Sequence, residues 1–288
     1  MTAAGVPNPR TTRQGDQAIN PLGGRPVKVP YASWFLRSSV LLPLLVASAF
    51  LLTWDGIVRL SGSELFPKPL DVWWGLGELV KKGLLLKYVV ASLFRVTWGF
   101  TLAVLVGVPF GLLLGWSRYA QEAFNPLIQA FRPISPIAWI PLAILWFGIS
   151  DAAPIFLIFL ASVFPILVSS AAAVKSVPTV YLRVAQNFGL TRSQLVWRVI
   201  LPATLPQILT GLRITLGVAW LVVVAAEMIA VNSGLGYLII DARNAGKRYD
   251  LVVAGMVVIG LIGWLLDLLM RLAERFQALK WAYGIRHE

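Results

Sequence analysis

The chain has no cysteine. That excludes disulfides, thiolate metal sites and cysteine nucleophiles, and it leaves the redox compartment open. Its one histidine, His287, stands next to the last residue. Histidine acid–base chemistry and histidine metal ligation therefore have no support, and we expect neither a catalytic residue nor a metal site. Charge is scarce: Asp, Glu, Lys and Arg make up 13% of 288 residues, against roughly 25% in a soluble domain. No GxxxxGK[ST] run is present, so the chain should hydrolyse no nucleotide by itself. No internal repeat is visible.

What is abundant is apolar surface. Hydrophobic residues form 58% of the chain, and the mean hydropathy is +0.75. This composition predicts an all-α polytopic membrane protein. The formal net charge of +12 would suggest nucleic acid in a soluble chain. Here basic cytoplasmic loops account for it, and no nucleic-acid partner is expected.

Residues 1–33 are polar and rich in Pro, Gly and Arg. We expect a flexible cytoplasmic tail there, with the transmembrane domain over 34–288. No apolar core follows the first basic residues, so a cleavable signal peptide is not expected. A helix needs about 20 apolar residues to cross the bilayer. About six spans satisfy this, at 38–54, 92–116, 127–148, 153–174, 207–231 and 251–271. Pro43, Pro109, Pro141 and Pro165 fall inside them, which membrane helices tolerate when neighbours satisfy the freed carbonyls. An even count puts both ends on one side. Lys and Arg outside the spans concentrate on that side, which places the termini and residues 175–206 in the cytoplasm.

Gly99, Ala103, Gly107, Gly111 and Gly115 recur at every fourth position of the second span. Such a stripe admits a second helix at close range, either as fixed packing or as a face that rocks. Arg95, Arg132, Arg213, Glu227 and Asp267 fall in or at the edges of spans. A charge at mid-membrane costs about 2.5–3.5 kcal/mol even on the lenient insertion scale. Two readings follow: the five reach an interface with their long side chains, or the cations line an anion's path. Arg132 leads the second reading. It precedes "PISPIAWIP", whose prolines disturb the helix, and non-helical backbone at membrane depth belongs beside protein or a water-filled cavity. The candidate pathway residues are Arg132, Trp139, Arg213, Glu227 and Asn232. Asn232–Asp250 follows the fifth span, with Arg243, Lys247 and Arg248. It reads either as a solvated re-entrant turn or as a surface that attracts anions or an outer protein.

The stretch from Val174 to Ile208 is too polar to cross lipid. Pro178 suits a first helical turn, and Gly189 suits the left-handed position after a helix end near Phe188. "TRSQ", Thr191–Gln194, is a capping box that starts a second short helix. Leu195, Val196, Val199 and Ile200 give it an apolar stripe, and Pro202 and Pro206 should end it. The product is either an amphipathic helix on the bilayer or an element that docks in a partner's groove.

The spacing in this loop resembles the signature of permease subunits of ABC importers. In that signature an EAA triplet is followed after three residues by glycine, then after nine by I-x-L-P. Here Arg183-Val184-Ala185, Gly189 and Val199-Ile200-Leu201-Pro202 occupy those places. Arg183 departs from the acidic first position. "RPISPIAWIPLAILWFGISDAAPIFLIFLASVFPIL", "PQILTGLRITLGVAWLVVVAAEMIAVNSGLGYLIIDARNAGKRYD" and "LVVAGMVVIGLIGWLLDLLMR" extend the likeness over nearly all of the chain beyond residue 90. They resemble the nitrate, taurine, sulfonate and bicarbonate permease family, the cyanobacterial nitrate permeases first and the bicarbonate permeases next.

The resemblance implies a bacterial cytoplasmic-membrane importer subunit for a small anion, nitrate or nitrite before bicarbonate or sulfonates. It implies a second permease copy, two cytoplasmic ATPase subunits that bind ATP and Mg, and an outer solute-binding protein. No cofactor is expected in this chain. Arg183, Ala185, Gly189, Leu190, Thr191, Arg192, Gln194, Leu201 and Pro202 would couple to the ATPases through a helix between spans four and five. An ion-coupled secondary transporter is the alternative of another class, and it would need a repeat pair and a midplane site.

Overall fold

In lipid the backbone must satisfy its own hydrogen bonds, and helices do this within one segment. The structure, a computed structural model, describes residues 31–62 and 66–284. The tail expected over 1–33 lies outside the described residues but for its last three. Among the described residues eleven α-helices follow in order: α1 Tyr31–Ser61, α2 Pro69–Lys81, α3 Leu84–Trp116, α4 Arg118–Phe131, α5 Ile140–Phe147, α6 Ala152–Lys175, α7 Thr179–Asn187, α8 Arg192–Leu195, α9 Leu201–Ala230, α10 Leu235–Gly246 and α11 Tyr249–Gly284. The chain divides into two units, one ending at Thr53 and one running from Trp54. The first is described only through the apolar stretch of α1. The packing and the sites described below belong to the second.

The glycine stripe of α3 meets α6. Gly99 lies against Ile158, Gly107 against Ile166, Gly111 against Ser170 and Gly115 against Val174. Both sets of numbers rise together, so the two helices run parallel in a fixed register. A Cβ placed on Gly111 would fall 2.5 Å from the Leu167 carbonyl oxygen. The stripe is thus packed to the limit, and only glycine permits this approach.

Parallel neighbours require the chain between them to return across the bilayer. The expected single span at 127–148 is corrected here to two helices. α4 ends at Phe131, a 3₁₀ turn runs Pro136–Trp139, α5 follows, and the two halves bend by 79°. The bend falls at Pro133 and Pro136, where missing N–H donors and ring clashes end the first helix. Since α3 and α6 point the same way, this bent pair counts as one crossing. With the five long apolar helices this makes six candidate spans among the described residues.

A second correction concerns Pro202 and Pro206, which do not end the loop helix. α8 passes through a π-turn, Val196–Ile200, into α9, and the combined helix runs from Arg192 to Ala230 over 39 residues. Leu201 N–H bonds to the Val196 carbonyl, five residues back. The wider turn lets Pro202 sit in the first turn of the new register, where its missing donor costs little.

Two helices were not expected. α2 opens with Pro69, and the Asp71 side chain accepts from Lys68 N–H at 3.1 Å. It buries Val72, Gly75 and Leu79. Arg248 ties it to the start of α11, reaching Glu78 at 2.6 Å and Asp250 at 2.8 Å. The Arg248 hydrogen bond, helped by Lys82, holds the Glu78 carboxyl down at about 2. α10 sends Leu235 and Leu238 into the main apolar cluster, beside Val96, Ile158, Trp220, Val223 and Ala254.

Gly111→Ala should lower stability by about 1–3 kcal/mol through overpacking, read as a lower melting temperature of the solubilised protein. Gly217→Ala, inside α9 where a Cβ would meet nothing within 4 Å, should not lower stability and should raise it by up to about 1 kcal/mol through helix propensity. Equal melting of the two variants would remove the seam as a constraint.

Candidate functional site

Local rules build the loop element. α7 ends at Gly189, whose φ of +72° only glycine adopts without strain. Leu190 N–H bonds to the Ala185 carbonyl at 3.1 Å, and Gly189 N–H to that of Gln186 at 2.9 Å. These are the two bonds of a Schellman end. The capping box is also present: Gln194 N–H bonds to Thr191 Oγ1, and Thr191 N–H to Gln194 Oε1 at 3.0 Å. Ala185, Leu195 and Ile200 pack with Val174 of α6, and Leu112 of α3 and Leu190 cover them. The other face of α7 is apolar and bare. Val180, Tyr181, Val184 and Phe188 are exposed, Phe188 to 80%. Arg183 and Arg192 are exposed beside them, and among the described residues neither forms an ion pair.

At the opposite end of the bundle a polar knot joins α3, α6, α9 and α10. Arg95 and Glu227 are fully buried and meet at 2.7 Å. Both side chains are enclosed by protein rather than extended into solvent, so the snorkelling reading fails for both. Arg95 also donates to Asp151 through Nε at 2.8 Å and Nη2 at 2.6 Å, to the Ser233 carbonyl at 2.7 Å, and to Ser233 Oγ. The second oxygen of Glu227 accepts from Ser92 Oγ at 2.8 Å and from Gly236 N–H at 3.0 Å. Ser92 Oγ in turn accepts from Leu235 N–H at 2.9 Å. Glu227 and Ser92 therefore cap α10, and the carboxylate sits where the helix dipole favours negative charge. Gly234, at φ +104°, leaves room for it; any Cβ there would collide with the Glu227 carboxylate.

Between these ends, Arg132 and Trp139 line one cavity of about 390 Å³ with Phe131, Leu160, Phe164 and Val218. It opens at the break between α4 and α5, where disturbed backbone was expected. Arg132 is exposed, and among the described residues it forms no ion pair. Arg213 lies elsewhere, bridging α9 to α11 through Asp267 at 3.2 Å and Glu274 at 2.8 Å. Asn232 is exposed beside Ser233 at the rim of the polar knot.

The profile of the binding-protein-dependent transport system inner membrane components matches residues 107–280. The chain belongs to this family. It is 44% identical over 191 residues to the taurine transport system permease protein TauC of Escherichia coli, covering 66% of this chain and 68% of that one. It is 35% identical to the bicarbonate transport system permease protein CmpB of Synechococcus elongatus, over 82% of this chain and 89% of that one. It is 33% identical to the nitrate import permease protein NrtB of Synechocystis, over 82% and 88%. In fold it is similar to a chain of the inward-facing MetNI methionine ABC transporter, with a TM-score of 0.61, 20% identity, and coverage of 67% and 96%. This protein is thus a multi-pass ABC importer permease of the family that includes taurine, bicarbonate and nitrate permeases, and the ion-coupled alternative falls away.

Within the permease, the loop residues Arg183, Ala185, Gly189, Leu190, Thr191, Arg192 and Gln194 form one local element, and Leu201 and Pro202 continue it into α9. The expected pathway residues separate into three places: Arg132 with Trp139, Glu227 near Asn232, and Arg213 alone. Sequence reasoning singled out Arg95 but missed its partners Ser92, Asp151 and Ser233. The order Ser92–Arg95 on one helix face was the available signal.

Arg95→Met should leave Glu227 an uncompensated buried charge and cost about 3–5 kcal/mol, whereas Glu227→Leu leaves Arg95 its ion pair with Asp151. Arg95→Met should therefore lower the melting temperature more than Glu227→Leu does, and adding Glu227→Leu to Arg95→Met should recover part of the loss. A double variant no more stable than Arg95→Met alone would refute the pairing.

Proposed function

We propose that this permease imports a small oxyanion, nitrate or nitrite, across the bacterial cytoplasmic membrane. It works as one of two identical copies above two ATP-hydrolysing subunits, which bind the ATP and Mg that this chain does not. An outer solute-binding protein delivers the anion. Both termini and the α7–α8 loop face the cytoplasm, in line with the excess of Lys and Arg on that side.

One observation carries the reading: a preformed element with a bare apolar face on α7 leads, through the capped turn at residues 188–191, into the continuous helix of α8 and α9. The exposed Val180, Tyr181, Val184 and Phe188 suit a helix-in-groove contact with an ATPase subunit. The Schellman end and the capping box keep the element rigid, so displacement passes into α9 rather than being lost in the loop. For the anion, support comes from the relatives' substrates, which share an oxyanion group, and from Arg132 beside Trp139 in a cavity at the helix break. Nitrate ranks first on the sequence likeness to the nitrate permeases; the matches to the nitrate and bicarbonate permeases each extend over 82% of this chain, so bicarbonate is separated from it only by experiment. The higher identity to the taurine permease, 44%, favours sulfonates as the second reading.

Labelled nitrate, bicarbonate and taurine, offered to a deletion strain carrying this permease with its partners, separate these readings. Accumulation of nitrate alone is the expected result, and accumulation of taurine alone overturns it. Arg132→Gln should reduce uptake by about tenfold, a loss of roughly 1.4 kcal/mol, with complex yield unchanged. Unaltered uptake kinetics remove Arg132 from the path. Arg213→Gln should also reduce uptake, and normal uptake removes Arg213. Gly189→Val meets no steric clash but forces a β-branched residue to φ +72°. It should insert normally and retain ATP hydrolysis while uptake in liposomes falls to background. Wild-type uptake by this variant would sink the lever.

A further inference from the structure

One edge of Arg95 is built into the fold, and the other is not. Nη1 donates to Glu227 and to the Ser233 carbonyl, both at 2.7 Å. The edge formed by Nε and Nη2 reaches Asp151 at 2.8 and 2.6 Å, with Ser233 Oγ also meeting Nη2. The Glu227 side chain is 0% exposed, whereas that of Asp151 is 58% exposed. Asp151 stands in the turn between α5 and α6, after the exposed residues Ile149 and Ser150. Both N–H groups converge on its Oδ1, and among the described residues no hydrogen bond reaches its Oδ2. A guanidinium edge matches two oxygens side by side. Asp151 therefore fills that position without matching it.

We propose that the Nε/Nη2 edge of Arg95 is an entry site for the transported oxyanion, and that Asp151 is its built-in competitor. This rests on the oxyanion reading above. Nitrate, bicarbonate and a sulfonate each present two adjacent oxygens to such an edge, while chloride offers a single point. Exchange conserves charge, because one anionic group leaves as another arrives, and the buried Arg95–Glu227 pair keeps its balance. Asp151 needs only to turn outward into solvent. Exposed Asn232 lies beside Ser233 at the same rim. In the proposed topology this rim faces outward, where a binding protein would release its anion.

The complex of permease and ATPase subunits, in nanodiscs and without binding protein, is titrated calorimetrically with sodium nitrate, sodium bicarbonate and taurine. Sodium chloride is the control. Asp151→Ala should bind the transported anion about tenfold more tightly than the wild type, the scale of one lost charged hydrogen-bond competitor, and chloride no more tightly. Adding Arg95→Lys should abolish the gain, with the thermal melt showing that the double variant is folded. Equal anion affinity in wild type and Asp151→Ala overturns the site. Tracer uptake by the wild-type complex in liposomes, supplied with ATP and its binding protein, tells two failures apart. Uptake with unchanged affinity removes only the site, and no uptake of any of the three anions removes the transport reading beneath it.

Discussion

The burial of Arg95 with Glu227 constrains everything at one end of this permease. A buried pair of charges gains little over an apolar substitute, but each partner is costly without the other. Its geometry must therefore be kept, and keeping it positions four elements at once. α3 supplies the arginine and Ser92, α9 the glutamate, the turn before α6 an aspartate, and the turn before α10 a carbonyl and a hydroxyl. α10 starts where it does because Glu227 and Ser92 take its first free N–H groups. The knot is a device of registry more than of stability.

The same glutamate belongs to the helix that leaves the coupling loop. From Arg192 to Ala230 the helix is continuous over 39 residues, which corresponds to about 58 Å. One end carries the element poised for an ATPase, and the other carries the knot. α3 and α6 form the frame beside this rod, parallel and held by glycines too tightly to slide without loss of contact. Movement of the rod thus bears directly on the polar rim, which lies at the far end of the same secondary structure.

Much of this was legible because the rules involved are local. Gly189 and the Thr191–Gln194 box act over five residues or fewer, and each was found where the spacing put it. The glycine stripe announced a close helix contact but not its partner, since α6 is read as a uniformly apolar run. The partners of Arg95 were illegible for a different reason. Glu227 is 132 residues away, and the Ser92 hydroxyl that caps α10 is 143 residues from the N–H it accepts. α10 has no cap of its own in sequence, so its polar stretch read as a turn. The helix break at Pro133–Pro136 was legible because proline acts on its own backbone. The same reasoning misled at Pro202 and Pro206, where a wider turn absorbed what prolines normally interrupt.

That wider turn also has a rotational meaning. Leu195 and Ile200 both face inward, five residues apart, whereas inward positions along α9, such as Thr204 and Ile208, are four apart. An α-helix turns 100° per residue, so a surplus residue would swing the whole of α9 away from its seat unless one turn were widened to hold it. The π-turn is in this sense a phase correction of one residue. It lets the loop keep the spacing its partner reads while α9 keeps the azimuth that points Glu227 at Arg95.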